Sequence, residues 1–323
     1  MKPLVCIIIL NWNGEHISIQ CVDSILKYTN YNNFQIIFVD NGSTDNSVET
    51  IRAKFPNITV ISLKRNFGFS KGMNVGAWLA LKSYKPKYII FLNNDIMVPK
   101  DQQRWLTTLI EDLEEDPKAA VATPKIKLHN GKVMYRGAYL SKGMLHMKFI
   151  MKHLKPTKSR KKCYVEHGAG SCILIASKVL QKIGLFDEKF FPFLCEESDL
   201  FCRLKKAGYK VIYNPTCCLK DEMSVSLKKY RAQKGYLQYN TIAGKNFVRY
   251  AYKNYAFHRF IFTLFIACIR QIIDKDYNRL VLVSLNPFSI LRLIRQLDLE
   301  KEKIHLSERE VMNRINKIYE TRG

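Results

Sequence analysis

The chain has 323 residues, is 47% hydrophobic and carries a formal charge of +24. That is enough apolar material for one large domain or one and a half, and the charge points to a polyanionic partner such as nucleic acid, acidic lipid or a phosphorylated substrate. Nine irregularly spaced cysteines, with Cys217 and Cys218 adjacent and no CxxC pair, exclude a disulfide framework and a zinc site and imply reduced thiols in a cytoplasmic protein.

Met1-Lys2-Pro3 leads directly into LVCIIIL, a run of strand length, so no signal peptide is expected. The run ends in Asn11-Trp12-Asn13-Gly14, and a helix follows with Ile19, Val22, Ile25 and Leu26 on one face. FQIIFVD is a second strand ending at Asp40. NGSTDNS supplies turn residues and helix caps, Asp45 being the capping residue. Val48 to Phe55 reads as helix, Thr59 to Asn66 as a third strand, Met73 to Leu81 as the start of a helix, and YIIFLNND, Tyr88 to Asp95, as a fourth strand. Strand and helix alternating at this spacing give βαβ units and a parallel sheet, with the polar clusters after each strand along one edge.

A helix is expected over Gln103–Leu113 and a strand over Val121–Leu128. Residues 142–162 hold Lys142, Lys148, Lys152, Lys155, Lys158, Arg160, Lys161 and Lys162 with no acid, and read as a mobile basic loop. GSCILIASKVLQKIGLF is a strand turning into a helix. The next segment gives a turn, an acidic patch, a helix from Asp199 to Ala207 and a strand ending near Pro215. After about Ser226 the alternation stops, dividing the chain into residues 1–226 and a helical region, 227–323. Residues 228–295 carry thirteen Lys or Arg against Asp274 and Asp276, interleaved with aromatics. That composition suits the headgroup region of a membrane; the alternative is a packed helical subdomain with a basic outer face. Phe260–Ile269 is too short to span a bilayer, at roughly 15 Å as a helix. Ser307 to Glu310 is a capping box opening a last helix with Val311, Ile315 and Ile318 on one stripe, expected to pack on its own domain.

The chemistry concentrates at Tyr88–Val98. A buried strand ending in Asn93, Asn94 and Asp95 puts acceptor side chains where open sheets bind ligands. Asn93 and Asp95, two residues apart, share one side of an extended chain. A neutral and an anionic oxygen with open positions around them suit Mg²⁺ or Mn²⁺ holding a diphosphate. An Asn-rich turn with no ligand explains the same residues.

Five motifs in order carry a resemblance: ILNWNG at Ile9–Gly14, VDNGSTDNS at Val39–Ser47, RNFGFSKGMNVG at Arg65–Gly76, FLNND at Phe91–Asp95, and Gly184 to Pro215. Over about residues 3–226 the chain resembles the glycosyltransferase family 2 enzymes, most of all the rhamnosyltransferase-like branch that builds bacterial surface polysaccharides. The resemblance implies an α/β GT-A fold, a Rossmann-like nucleotide half with a mainly parallel sheet joined to an acceptor half. It implies a nucleotide-sugar site at Asn11, Asn13, Asp40, Asn66, Gly68, Gly72 and Asn94, with the glycines giving close backbone approach. Lys71 is a candidate phosphate contact or a solvated lysine. Asn93 and Asp95 match the family's metal-binding DxD. Glu197 takes the catalytic base position of an acidic motif, with Glu196 and Asp199 orienting it or the acceptor. Three clustered carboxylates raise at least one pKa toward neutrality; helix N-terminal acids are the structural alternative. The family often has a metal-binding His where this chain has Lys220-Asp221-Glu222, so Asp221 is the substitute ligand expected, or Lys220 a diphosphate contact. The implied reaction is inverting transfer from a dTDP- or UDP-sugar, dTDP-rhamnose first, to a lipid-linked or growing glycan at the inner membrane face. Two rivals stand beside it: a nucleic-acid binder, which the absence of any helix-turn-helix, zinc-finger or RNP pattern disfavours, and a non-catalytic relative. The sequence leaves the oligomeric state open.

Overall fold

The computed structural model describes residues 1–140, 154–222, 232 and 235–255. Strand β1 (Val5–Asn11) has Val5 to Ile9 fully buried, the mark of a strand covered on both faces. It pairs in parallel with β2 (Phe34–Asp40) on one side and with β4 (Tyr88–Asn93) on the other, and β2 pairs with β3 (Thr59–Ser62). Helices α1 (Glu15–Tyr28), α2 (Ser47–Lys54) and α3 (Phe69–Leu79) make the crossovers. The chain moves outward from β1 to β3, then returns through α3 to the far side of β1. The topological switch therefore lies between β1 and β4, where an open α/β sheet binds its ligand. Register places Asn11 opposite Asp40 and Leu10 opposite Asn93, so the polar strand ends share one edge as expected.

Beyond β4 the sheet becomes mixed. The short β5 (Ile96–Met97) and, after α4 (Trp105–Glu115), the long β6 (Ala119–Leu128) come next. Strands β7 (Val133–Tyr135), β8 (Ala138–Leu140), β9 (Leu154–Pro156), β10 (Cys163–Val165) and β11 (Cys172–Ala176) follow, then α5 (Ser177–Ile183), α6 (Glu196–Lys206), β12 (Lys210–Asp221) and α7 (Tyr236–Asn254). The strand order is β10-β12-β6-β11-β4-β1-β2-β3, with β11 antiparallel to both β4 and β6. A separate pair joins β8, just before the expected basic loop, to β9 within it. Lys162 in the same stretch is paired with Asp112 (3.1 Å) and Glu115 (2.6 Å), while residues 141–153 lie outside the described residues.

Three of the boundaries that differ from the sequence reading do so for a clear local reason. Strand β3 stops at Ser62 instead of Asn66 because the Asn41 side chain captures the following loop. Asn41 Oδ1 accepts the Phe67 N–H (2.9 Å), and its Nδ2 donates to Asn66 Oδ1 and to Gly68 O (both 3.1 Å). Helix α3 starts at Phe69 instead of Met73 because Gly68, at φ 83°, turns the chain into it. Strand β12 does not end near Pro215. A bulge between Asn214 and Cys218 absorbs Pro215, steadied by Asn214 Oδ1 accepting from the Thr216 N–H (3.1 Å) and hydroxyl (2.7 Å). The strand then runs on to Asp221, where Lys220 and Asp221 pair with Met97 and Ile96 of β5.

Helix α7 packs on the acceptor half. Phe247, Val248, Tyr250 and Ala251 are buried, Tyr250 Oη lies 3.1 Å from Cys202 Sγ on α6, and Asn246 Nδ2 donates to Phe193 O (2.7 Å). The aromatics Phe247 and Tyr250 thus serve protein packing and not lipid contact, and contact crosses the division expected near Ser226. Among the described residues no helix is long and apolar enough to cross a membrane. Phe260–Ile269 and the final helix expected after Ser307 lie outside them. Every described cysteine is a free thiol.

Gly42 shows how tightly the nucleotide-side loops meet. Its φ is 72°, and a Cβ there would lie 2.3 Å from Arg65 Cα. Gly131 has a similar φ of 80° with nothing within 4 Å of a Cβ. Gly131→Ala is expected to cost only the left-handed strain, about 1–2 kcal/mol. Gly42→Ala adds a backbone clash and lowers Tm clearly more in parallel thermal melts; equal shifts would refute the loop packing.

Candidate active site

Asn11 is fully buried at the end of β1 and both ends of its amide are used. Its Nδ2 donates to Asp40 Oδ1 (2.8 Å) and Ser43 Oγ (3.1 Å). Its Oδ1 accepts from Ser18 Oγ (2.8 Å) and Asn94 Nδ2 (3.0 Å). Asn94 Nδ2 also donates to Ser18 Oγ (2.9 Å). Asn11 and Asn94, expected at the nucleotide, are instead internal braces joining the end of β1 to the turn after β4. Asp40 accepts three bonds, from Asn11, from the Ser43 hydroxyl and from the Ser43 N–H (2.9 Å). A carboxylate has about four lone-pair sites, so Asp40 retains roughly one for a ligand. Asp45 caps as expected, and twice. It accepts the Glu15 N–H (3.1 Å) at the start of α1 and the Ser47 N–H (3.2 Å) at the start of α2.

Asn13 stands at φ 51° at the rim, its Oδ1 accepting the Thr44 N–H (2.7 Å). Asn66 Oδ1 accepts the Gly68 N–H (2.8 Å). At Gly72 a Cβ would meet Leu10 Cδ1 at 2.4 Å, so the missing side chain lets α3 lie close on β1. Lys71 and Arg65 flank the Phe67 ring at 5.0 and 4.9 Å.

At the end of β4, Asn93 Oδ1 is buried and has no hydrogen-bond partner among the described residues. A buried amide oxygen left without a donor is costly, and a cation, a ligand proton or an ordered water satisfies such a group. Asp95 is 4% exposed in the next turn, and its carbonyl accepts the Glu222 N–H (3.0 Å) just past β12. The extension of β12 thus brings the buried Asp221 beside the Asn93–Asp95 turn. The donor set is oxygen only, which fits Mg²⁺ or Mn²⁺. Among the described residues no three His, Cys, Asp or Glu groups converge on one point, so Asn93 and non-protein ligands would be needed to complete a shell.

On the acceptor side, Leu194 and Cys195 stand at φ 79° and 77°, an uncommon pair that turns the chain into α6. Glu196 is buried and Glu197 half-buried in its first turn, three residues ahead of the helix start read from sequence. Burial raises both pKa values, Glu196 most, and repulsion from Glu197 raises it further. The two carboxyls are close enough to titrate as a pair, and a proton held between them is favoured over two buried charges.

Asp199 is held by cations from two helices. Burial would raise its pKa, but Arg203 and Lys253 beside it prevail and hold it low. It pairs with Arg203 Nε (2.8 Å) and Lys253 Nζ (3.0 Å), and Asn254 Nδ2 donates to it (3.2 Å). Arg203 also donates to the carbonyls of Ile183, Gly184 and Leu185. Asp199 therefore clamps α6 to α7. The Arg203 partner was readable at i+4; Lys253, in the basic tail, was not.

His167 was missed altogether. It is buried, Nε2 lies 3.0 Å from Ser198 Oγ, and Nδ1 lies 2.8 Å from both Tyr135 Oη and Gly168 O. Burial pushes its pKa down from 6.5 to about 4. The unfolded chain takes up this proton as pH falls below 6.5 and the folded one does so only near 4. Stability due to the neutral ring is whole above pH 6.5 and is lost as pH falls to about 4, on the order of 3 kcal/mol. His167→Gln should flatten the Tm-against-pH curve across that window, and an unchanged slope would count against a buried neutral ring.

Residues 6–184 match the family model described as glycosyl transferase family 2, more than half of the chain. An N-acetylglucosaminyl-diphospho-decaprenol L-rhamnosyltransferase of Mycobacterium tuberculosis is 25% identical over 56% of this chain and 64% of its own length. A low-salt glycan biosynthesis hexosyltransferase of Haloferax volcanii is 24% identical over 55% of each. An uncharacterized protein of Sinorhizobium fredii is 24% identical over 66% of this chain and 24% of its own length, so the chain spans less than two thirds of these curated relatives. Among solved structures, GalNAc-T7 with UDP, GalNAc and Mn²⁺ superposes with TM-score 0.59 at 18% identity, over 77% of this chain and 47% of that one. The mannosyltransferase PcManGT of Pyrobaculum calidifontis, in complex with GDP-Man and Mn²⁺, gives 0.54 at 13% identity over 99% and 81%. The fold is GT-A, and the chain belongs to glycosyltransferase family 2.

Proposed function

We propose that the protein is a metal-dependent inverting glycosyltransferase using a nucleoside-diphosphate sugar. The observation that carries this reading is the buried, unpartnered Asn93 Oδ1 at the topological switch of the sheet. Glu197, one of two neighbouring carboxyls whose pKa values burial raises, would stand on the acceptor side. Asn93, Asp95 and Asp221 would hold Mg²⁺ or Mn²⁺, which supplies positive charge to a leaving diphosphate. Asp40, with Asn13, Asn66 and Gly68 at the rim, would meet the nucleoside. Glu197 takes the proton of an acceptor hydroxyl. The hydroxyl oxygen bonds to the anomeric carbon as the carbon–oxygen bond to the diphosphate breaks, and the electron pair leaves with the diphosphate. One base on the face opposite the leaving group gives inversion without an enzyme nucleophile.

The rhamnosyltransferase name of the mycobacterial relative supports dTDP-rhamnose as the first donor to try and a lipid-linked or growing glycan as acceptor. The basic composition of residues 228–295 supports peripheral attachment to the cytoplasmic membrane face, with residues 1–226 as the transferase domain and 227–323 as the attachment region. A thermal-shift panel of UDP- and dTDP-sugars with and without MnCl₂ should show Mn²⁺-dependent stabilisation by the true donor, by mass action. Glu197→Gln should then lower nucleoside diphosphate release by a factor on the order of 10² or more, and Asp95→Ala should abolish the Mn²⁺-dependent shift. Wild-type behaviour in both variants would overturn the proposal.

A further inference from the structure

The run His167-Gly168-Ala169-Gly170-Ser171 has no part in the proposed reaction, yet it lies between the two clusters that do. At one end it is fastened to β4, where Ser171 O accepts the Asn93 N–H (3.0 Å). In its middle it is fastened to β6. Ala169 N–H donates to Thr123 Oγ1 (2.9 Å), and that hydroxyl donates to Cys172 O (3.2 Å). Its other flank touches the catalytic helix. A Cβ built on Gly170 would lie 3.0 Å from both Cγ and Oε1 of Glu197, so backbone already stands against that carboxylate. His167 Nε2 lies 3.0 Å from Ser198 Oγ, the residue after Glu197, and the imidazole packs on Phe201 of the same helix at 4.6 Å between ring centres. Tyr135 from β7 holds the far side of the ring.

We infer that residues 167–171 form a positioning strut that fixes the Glu197 carboxylate relative to Asn93, Gly170 by direct contact and His167 through Ser198. Neither residue touches substrate, so both act through Glu197. The kinetic consequence rests on the reading of Glu197 as base; the geometric one does not.

The test uses the full chain, with nucleoside diphosphate release measured on the sugar nucleotide that stabilises the wild type in the presence of MnCl₂. A misplacement of about 1 Å costs up to a factor of about 10². Gly170→Ala, which needs a shift of a few tenths of an ångström, should lower kcat about tenfold, and Gly170→Val about a hundredfold, with donor KM nearly unchanged. His167→Gln, which keeps a polar partner for Ser198, should retain more kcat than His167→Phe at similar Tm. A purely structural role would instead lower Tm without splitting kcat from KM. A crystal structure of Gly170→Val should show the Glu197 carboxylate moved relative to Asn93; the Gly170→Ala crystal serves if the Val variant fails to fold. Wild-type kcat in Gly170→Val, or a carboxylate that has not moved, overturns the strut. If the wild type turns over none of the sugar nucleotides, the proposed activity falls separately, and the crystal comparison still decides the strut.

Discussion

The constraint on which the site depends is the amide of Asn11. It is fully buried, and its four hydrogen bonds reach Asp40, Ser43, Ser18 and Asn94. Those partners belong to the end of β2, the turn beyond it, the first turns of α1 and the turn after β4. One side chain therefore ties together the loops after β1, β2 and β4, while Asn41 holds the loop after β3. Removing it would strand several buried polar atoms, each at about 1–3 kcal/mol. The edge is a set of fixed turns held from beneath, with Asp40 and the Asn93 amide oxygen buried at the strand ends.

The second half of the site is mounted differently. The parallel sheet ends at β4, and β11 lies antiparallel beside it, so the chain entering β11 passes directly under the Asn93 turn. The long β12 reaches the same place from the other side by way of its bulge at Asn214–Cys218. Three segments far apart in sequence thus meet where the sheet changes direction. The clamp formed by Asp199, Arg203 and Lys253 sets the tilt of α6 against α7, because Asp199 contacts both.

Sequence carried the parts of this arrangement that depend on local pattern. Apolar runs ending in Asn or Asp located β1, β2 and β4 and the shared polar edge, because a both-faces-buried strand needs no long-range information to be read. The roles of individual amides were less accessible. Asn11 and Asn94 look like ligands in a motif, and only their mutual distance shows that they satisfy each other. Gly72 looks like a phosphate-loop glycine, and only Leu10 opposite it shows a packing contact. The end of β12 was misread because Pro normally terminates pairing, whereas a bulge lets the strand resume. His167 gave no signal, since a lone histidine carries no spacing and its partners are Tyr135 and Ser198.

The formal charge of +24 suggested that positive potential would dominate the chemistry, but the local distribution at α6 argues otherwise. The cations nearest its acids, Arg203 and Lys253, are held by Asp199, with Lys253 also on Asp187 (2.6 Å). No cation among the described residues pairs with Glu196 or Glu197. Two neighbouring buried carboxyls without a counter-charge cannot both ionise cheaply, so one keeps its proton. Burial raises the pKa of both, and repulsion from Glu197 raises Glu196 further. A carboxylate held above its ordinary pKa is a stronger base than a solvated glutamate. Asp199 occupies the two cations of the α6–α7 clamp, and the carboxyl pair stands apart from them.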